Sequence, residues 1–296
     1  MTHPSEARFA ARSAGLVVLA SMLFGTSGTA RSLLSDDSSD LGVAGMRLLL
    51  GALPLWAYAW FRHRDSFRRP GPLVVVAGVA MAAFQVFFFQ SVSAAGVAIG
   101  TMLTIGSGPV IAACIEYATS RTVPRGVPVG IALAVTGLVL LVMGSPGSDG
   151  AAVSVAGIVA GLAAGACYAG YTHVSKTLLG HGWSGAWVMA QSFGVSAIVG
   201  VALVGFSPMG WLSTPGSWAT VAYLGIATIA VPYVLYAAAL VHLPSSTVVT
   251  LTLVEPVTAT ILGAFVLDEA IGAGSWIGAC IVISGLVHTG RMAAAR

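Results

Sequence analysis

Long apolar stretches, separated by short segments rich in charged and turn-forming residues, run through the whole chain. A hydrocarbon core about 30 Å thick needs roughly 20 apolar residues per helix, and each stretch is close to that length. The stretches are continuous rather than alternating, which favours helices over a closed β-barrel as a way of satisfying the backbone in lipid. We therefore predict ten membrane spans, numbered 1 to 10: residues 13–34, 41–61, 71–92, 97–119, 126–144, 153–174, 183–205, 216–240, 246–267 and 273–291.

The amino-acid composition excludes an ordinary soluble fold. Hydrophobic residues make up 57% of the 296 residues and charged residues only 8%, and the mean hydropathy is +0.92. Soluble domains carry about 25% charged residues. The expected fold class is an all-α polytopic membrane protein with ten transmembrane helices, surrounded by the lipid bilayer.

The basic residues are unevenly distributed between the two sides that ten spans define. If the N-terminus is cytoplasmic, 11 of the 13 basic residues fall on the cytoplasmic side. Cytoplasmic loops carry an excess of Lys and Arg, so this bias predicts a multi-pass protein of the cell inner (plasma) membrane with both termini cytoplasmic. The residues on that side are Arg8, Arg12, Arg62, Arg64, Arg68, Arg69, Arg121, Arg125, Lys176, Arg291 and Arg296.

The two halves of the chain repeat one another with an offset of 145 to 148 residues. MLFGTSGTARSLL in span 1 aligns with CYAGYTHVSKTLL in span 6, which pairs Gly25 with Gly170 and Arg31 with Lys176. Further matches occur in the same order in later helix pairs. They pair Gly78 with Gly225, Pro109 with Pro256, Gly130 with Gly278 and Gly137 with Gly285.

The repeat divides the chain into a tail and two units. We expect residues 1–12 to form a cytoplasmic N-terminal tail, and residues 13–144 and 153–291 to form two five-helix repeats. Because five is an odd number, the second copy inserts into the membrane upside down relative to the first. Inverted repeats give two related packings of the same parts, one open to each side, which is what alternating access requires.

Two segments of the second half are similar to a known family. LTLVEPVTATILGAFVLDEA (residues 251–270) and ATVAYLGIATIAVPYVLYAAAL (residues 219–240), together with the ten-span layout, resemble the EamA-type exporters of the drug/metabolite transporter superfamily. The resemblance implies a cavity formed largely by spans 1, 3, 4, 6, 8 and 9, and outward carriage of amino acids or related metabolites. The first copy departs from the pattern, because Arg121 aligns with Asp268, which speaks against a symmetric role for Glu269.

Glu255 is the sharpest candidate for a functional residue. A carboxylate near the middle of span 9 is expensive to place in lipid and usually faces a polar cavity or a partner. Thr252 and Thr258 lie three residues to either side, which predicts a polar stripe on one helix face. Pro256 cannot donate a backbone hydrogen bond, so the carbonyl of Thr252 is expected to be free. The alternative is a structural acid that never meets solute.

Arg47 is the other unusual charge, about 9 Å into span 2 at a rise of about 1.5 Å per residue. It could extend outward to the membrane surface, or it could pair with an acid or attract a substrate carboxylate. Glu116, near the cytoplasmic end of span 4, is expected to pair with a loop arginine rather than relay protons.

Aromatic and amide side chains give a second set of cavity candidates. They occur at helical spacing in three of the spans that the resemblance places around the cavity, although such stripes serve packing more often than binding. These residues are Gln85, Phe88 and Phe89 in span 3, Tyr168 and Tyr171 in span 6, and Tyr233 and Tyr236 in span 8. Pro109, Pro232 and Pro256 lie inside spans and are candidate hinges.

Motifs for other chemistries are missing from the sequence. It contains no Walker A motif, no G-x-S-x-G or H-E-x-x-H motif and no Cys/His metal spacing, so we expect no cofactor, no metal and no enzymatic activity. So few fixed charges argue against a polyanionic substrate. The leading hypothesis is a secondary exporter of small polar metabolites, namely amino acids or related amphipathic compounds.

Several alternatives to amino-acid export stay open at this point. A multidrug or a sugar/nucleoside carrier of the same fold is one, and a channel or an intramembrane enzyme is another. The expected partners are a small-molecule substrate, lipid and, as a candidate, protons, with no nucleic acid. The chain is expected to be a monomer or a weak homodimer.

Overall fold

The computed structural model describes residues 4–35, 37–124, 126–144 and 154–294. In these ranges the regular secondary structure is entirely helical. Nine helices are long and apolar enough to cross a membrane, and Val127–Met143 is a shorter apolar helix at the place of predicted span 5. The predicted all-α class with ten spans is therefore confirmed.

The observed spans follow the predicted order. Their bounds are Pro4–Arg31, Asp40–His63, Pro72–Ala95, Val97–Ser120, Val127–Met143, Val155–Gly180, Gly185–Gly205, Pro215–Leu240, Ser245–Val266 and Ala273–Ala294. Short 3-10 helices, Arg64–Ser66 and Gly210–Ser213, lie after spans 2 and 7. Span 1 begins at Pro4, so most of the predicted tail of residues 1–12 is helical. Residues 1–3 and the predicted boundary at residue 153, like Asp36, Arg125, Asp149 and Arg296, lie outside the described ranges.

Spans 8 and 9 are irregular beside two of the three candidate hinges, Pro232 and Pro256. Span 8 contains a π-helical segment, Ile226–Ala230, which ends just before Pro232. Span 9 consists of two α-helical segments, Ser245–Leu251 and Val254–Val266, and the second begins just before Pro256. π-bulges and breaks of this kind interrupt the regular helical bonding. Span 4, in contrast, stays helical through Pro109.

The two repeats exchange their first helices, and the packing of the spans shows this symmetrically. Span 6 packs on spans 3 and 4, and its counterpart, span 1, packs on spans 8 and 9. Span 3 packs on span 7 as span 8 packs on span 2, while spans 2 and 7, and spans 5 and 10, pair with each other. Each copy therefore completes the other's helix group, and we call these the 3-4-6 group and the 1-8-9 group.

Backbone geometry at two helix ends repeats in the same way. Arg121 follows span 4 with φ of 55°, and Asp268 follows span 9 with φ of 54°. They are the two non-glycine residues with positive φ in the part of the chain that the structure describes. A left-handed residue is a common way to end a helix, and here it occurs at two positions that the repeat aligns.

Glycines bring span 6 into direct contact with spans 3 and 4 inside the 3-4-6 group. A Cβ atom added to Gly157 would lie 2.7 Å from the Cβ of Ala95, and one added to Gly165 would lie 2.8 Å from the carbonyl oxygen of Thr104. Small residues allow such close approach in lipid, where no hydrophobic drive brings helices together.

The two helix groups meet mainly at one end of the bundle. Segment Ser245–Leu251 of span 9 packs there on spans 4 and 6. Spans 1 and 9 begin, and span 10 ends, at this end, which we call the termini side; the opposite end is the far side.

Candidate functional site

Glu255 lies at about half the depth of the bundle, beside the break in span 9. It is the tenth residue after Ser245, or about 15 Å along a helix from the termini side. Its side chain is half-buried, and no hydrogen bond from another described residue reaches its carboxylate. An acid in this position is free to receive a solute or a proton.

The carbonyl of Thr252 is not free, contrary to the sequence prediction. The backbone N–H of Glu255 donates to it at 2.9 Å. The prediction assumed a continuous helix, in which Pro256 would leave that carbonyl unpaired. Span 9 instead turns tightly after Leu251, and the residue before the proline supplies the missing donor.

The predicted polar stripe is also interrupted by this break. Thr252 lies between the two helical segments, is buried, and donates to the carbonyl of Val249 at 2.7 Å. Thr258 donates to the carbonyl of Val254 at 3.0 Å and faces Gly25 of span 1. Hydroxyl groups of threonine often bond to their own helix in this way, so neither side chain offers a free donor.

Arg47 points into the protein rather than outward along span 2. Its Nη2 donates to Oγ1 of Thr228 in span 8 at 3.2 Å, and its Nε is buried without a partner. Arg47 therefore does not extend outward to the membrane surface in this structure, and its pairing with an acid or with a substrate carboxylate stays a prediction.

Aromatic rings form one connected cluster between the helix groups. Tyr233 lies at its centre, with ring centroids 5.2 Å from Phe24, 5.9 Å from Tyr171 and 5.7 Å from Tyr236. The cluster continues through Tyr168 to Phe84, Phe88 and Phe89 of span 3. The structure thus brings together the aromatic residues that the sequence singled out in spans 3, 6 and 8.

The predicted cavity residues differ in whether a solute could reach them. Tyr171 and Tyr236 are fully buried, and their hydroxyls bond to Met189 and Thr172. Others with little exposure are Gln85 and Tyr233, whereas Phe88 and Tyr168 are half-buried. In this conformation a solute does not reach Tyr171 and Tyr236, and a role in binding stays a prediction for all of these residues.

Sequence reasoning missed four residues that complete the cluster. Phe24 and Phe84 extend the ring contacts into spans 1 and 3, Phe193 packs on Tyr233 with centroids 4.5 Å apart, and Thr228 accepts from Arg47. Phe24 directly precedes Gly25, a repeat-paired glycine, and that adjacency was the available signal. Nothing in the sequence distinguishes Phe193 from other apolar residues of span 7.

Hydrogen bonds join the helix groups on the termini side. Lys176 of span 6 donates to the carbonyls of Leu240 at 2.6 Å and Val241 at 3.0 Å, which end span 8. Glu116 of span 4 accepts from the backbone N–H of Ser246 at 2.9 Å. A carboxylate at a helix N-terminus and an ammonium at a C-terminus both match the helix dipole.

The carboxylate of Glu116 has a partner that the sequence did not predict. The sequence suggested a loop arginine, but among the described residues the carboxylate meets the first turn of span 9. The second repeat cannot form the equivalent bond, because Gly263 occupies the position that the repeat aligns with Glu116. Arg31, the counterpart of Lys176, pairs with Asp40 at 3.1 Å next to its own helix instead of crossing between the groups.

In the described ranges, no group of three or more His, Cys, Asp or Glu side chains is placed to hold a metal ion.

Comparison with known proteins finds a family match in each half of the chain. The model of the EamA-like transporter family matches residues 12–143 and again residues 155–291. The chain is 34% identical over 273 residues to a Bacillus subtilis protein named uncharacterized transporter YwfM, covering 92% of this chain and 91% of that protein.

Relatives with a named substrate are more distant. The threonine/homoserine exporter RhtA of Escherichia coli K12 is 31% identical over 265 residues, covering 86% of this chain and 83% of that protein. One solved crystal structure superposes with a TM-score of 0.81 at 17% identity, covering 93% of this chain and 95% of that one, and it supports the fold alone.

Proposed function

The chain belongs to the EamA-like transporter family, and we propose that it exports amino acids or related small amphipathic metabolites by alternating access. As a member of this family it is a multi-pass membrane transporter. The substrate class and the direction are the proposal. The observation that carries the substrate class is the pair of opposite charges, Arg47 and Glu255, beside an aromatic cluster between the two helix groups.

This pair of charges suits a small dipolar solute. A neutral sugar does not call for two fixed charges at half depth, where each charge costs free energy to bury. A polyanion such as a nucleotide would be repelled by Glu255 and would call for several basic residues. Aromatic rings beside the charges provide an apolar surface for the rest of the solute. The name of the RhtA relatives, threonine/homoserine exporter, agrees with this substrate class.

The proposed direction of transport, export, is supported by the name of the RhtA relatives, and the bonds on the termini side indicate which state of the transport cycle the structure shows. If the termini side is cytoplasmic, the bonds of Lys176 and Glu116 close the cytoplasmic end of the bundle. A transporter closed on that side presents its site to the far side, where an exporter releases its substrate. Reloading then requires these bonds to break and the helix groups to separate on the cytoplasmic side.

Coupling to protons is a second part of the proposal. Glu255 is the carboxylate at half depth, and it carries no hydrogen bond from another described residue, so it can exchange a proton with the site. Exchange of substrate against a proton at one carboxylate would couple the two fluxes. A purely gradient-driven exporter needs no such step.

Flux into proteoliposomes tests the proposed function. Vesicles containing the purified full-length chain are loaded with unlabelled solute, and uptake of labelled amino acids, a sugar and a nucleoside is followed with and without a pH gradient. We expect saturable counterflow of amino acids, absent from protein-free vesicles. Saturable flux of the sugar or nucleoside but of no amino acid would contradict the proposal, as would non-saturating flux typical of a channel. A response to the pH gradient decides for or against proton coupling.

A further inference from the structure

Arg47 has hydrogen-bonding capacity that the protein does not use. A guanidinium carries five N–H donors. Among the described residues, one donor is used by Thr228, and the buried Nε has no partner. The hydroxyl of Thr228 is itself occupied as a donor, because it bonds to the carbonyl of Leu224 at 2.6 Å. Buried donors are normally paired, and an acceptor from outside the chain would supply the partner that this one lacks.

Glu255 is the complementary case, an anion without a donor. Its carboxylate accepts no hydrogen bond from the described residues. It also forms no ion pair with Arg47 within 4.0 Å; the ion pair that the described residues form within this distance joins Arg31 and Asp40, elsewhere in the protein. Arg47 bonds to Thr228 of span 8, and the backbone of Glu255 lies beside Gly25 of span 1, which packs on span 8. The two charges therefore lie near the same helix, with a gap between them rather than a direct contact.

A gap between opposite buried charges is costly unless something fills it. Two ions withdrawn from water are compensated only when the geometry is close and the remaining donors and acceptors are satisfied. A molecule carrying one positive and one negative group would satisfy both ends at once. An α-amino acid has this form, because its ammonium and its carboxylate are separated by a single carbon atom.

We propose that the site binds its substrate as a zwitterion, with the substrate carboxylate on Arg47 and the substrate ammonium on Glu255. The inference rests on the proposed function and adds the orientation of the substrate. A guanidinium binds a carboxylate through two parallel N–H donors, and the unused Nε of Arg47 is one of them. A carboxylate with no other donor binds an ammonium in the same way.

The rest of the substrate then lies against aromatic rings. Tyr233 borders the gap, because it follows Thr228 in span 8 and its ring packs on Phe24, the neighbour of Gly25. Tyr168 continues the same aromatic cluster through its contact with Tyr236. Phe24 packs on Tyr233 from span 1. A side chain of modest size that is apolar at least in part fits this border. The arrangement discriminates against molecules that lack either charge, because one buried ion would then remain unpaired.

Competition by substrate derivatives tests this orientation. In the counterflow assay with labelled L-threonine, the competitors are L-threonine, its methyl ester, which lacks the carboxylate, and N-acetyl-L-threonine, which lacks the ammonium. We expect each derivative to compete at least about tenfold more weakly than L-threonine, since each leaves one charge unpaired. Equal competition by either derivative would overturn the proposal.

Two variants assign the charges to their partners. Arg47→Gln should weaken binding of L-threonine about tenfold and leave binding of the methyl ester unchanged. Glu255→Gln should also weaken binding of L-threonine about tenfold, but it should leave binding of the N-acetyl derivative unchanged. Matched controls are Arg62→Gln, exposed on the same helix as Arg47, and Glu269→Gln, exposed after span 9; neither should change competition. If both site variants weakened all three competitors alike, the charges would serve structure and the zwitterion proposal would fail.

The outcomes also separate this inference from the proposed function. If no amino acid shows saturable flux, amino-acid export itself is wrong. If amino acids are transported but their derivatives compete equally, only the zwitterion site is wrong. Competition against the unaltered protein gives this answer even if a variant does not fold.

Discussion

Spans 4 and 9 occupy equivalent positions in the two repeats, yet only one of them carries chemistry. Gly108 and Pro109 of span 4 align with Glu255 and Pro256 of span 9. Span 4 is one continuous helix, Val97–Ser120, whereas span 9 breaks before its proline. A proline at the same register therefore does not suffice to break the helix.

The shared features of the two spans belong to the scaffold. Both end in a left-handed residue, Arg121 or Asp268, and both pack on the first helix of the opposite copy. What differs is the acid and the backbone around it. In the proposed function, duplication supplies two matching frames for alternating access, while recognition of the solute is concentrated in one copy. The predictions below ask how far this division holds.

Moving the acid from span 9 to span 4 should have the largest effect. A Cβ atom at Gly108 would meet Val249 at an ordinary contact distance of 3.4 Å, so the backbone at this position accepts a side chain. We expect Glu255→Gly to lower amino-acid flux at least about tenfold, and the added Gly108→Glu not to restore it, because Arg47 faces span 9. Flux in proteoliposomes measures this. Recovery in the double variant would show that the two positions are equivalent.

Adding one methyl group to repeat-paired glycines should have the next largest effect. A Cβ at Gly25 would lie 2.6 Å from the Cβ of Thr258 and 2.7 Å from the carbonyl oxygen of Glu255, whereas Gly170 has open space. Gly25→Ala should destabilise the protein by about 1–3 kcal/mol through overpacking of spans 1 and 9. Gly170→Ala is the matched control and should change little. Thermal unfolding in detergent compares the two, and equal shifts would contradict the described packing.

The basic residues that end spans 1 and 6 should also differ. Lys176→Gln removes two hydrogen bonds between the helix groups, while Arg31→Gln removes contacts near its own helix. We expect a several-fold larger population open on the termini side for Lys176→Gln only, about what the loss of one charged hydrogen bond allows.

Spin labels at Ser120 and His242, the termini-side ends of spans 4 and 8, can report this opening. The measurement needs a background without Cys114, Cys167 and Cys280, which are free thiols. A second, longer distance should appear with Lys176→Gln and not with Arg31→Gln. The same distance distribution in both variants would contradict the proposal that the bonds of Lys176 hold the termini side closed.

Replacing the aligned prolines should have the smallest effect. Pro256→Ala supplies a backbone donor next to the break in span 9, so we expect turnover to fall about threefold while KM stays constant, as for a change in a conformational step. Pro109→Ala lies in a continuous helix and should alter turnover by less than about twofold. Equal effects would remove Pro256 from the list of candidate hinges.

The fold could be read from the sequence because its signals are local. Each span is long enough to register as apolar by itself, and an inverted repeat needs only an ordered set of matches such as Gly25 with Gly170. Glu255 stood out for the same reason, since a carboxylate inside an apolar run is costly wherever it lies. These predictions required no knowledge of which helices touch.

The details of the site could not be read in this way because they depend on neighbours. The break in span 9 gives the carbonyl of Thr252 a donor that a continuous helix would not offer. The direction of Arg47 is set by Thr228, 181 residues away in the chain. Phe24 and Phe84 join the aromatic cluster through contacts between helices. That these residues bind a solute stays a prediction.

The most direct test of a site confined to the second repeat is flux with a neutralised Glu255. Saturable L-threonine counterflow is compared between the unaltered protein, Glu255→Gln and Glu269→Gln, at equal amounts of folded protein. We predict that Glu255→Gln loses at least about tenfold in flux, while Glu269→Gln, which replaces an exposed carboxylate of the same repeat, retains it. Undiminished flux in Glu255→Gln would contradict this account and remove the acid from transport.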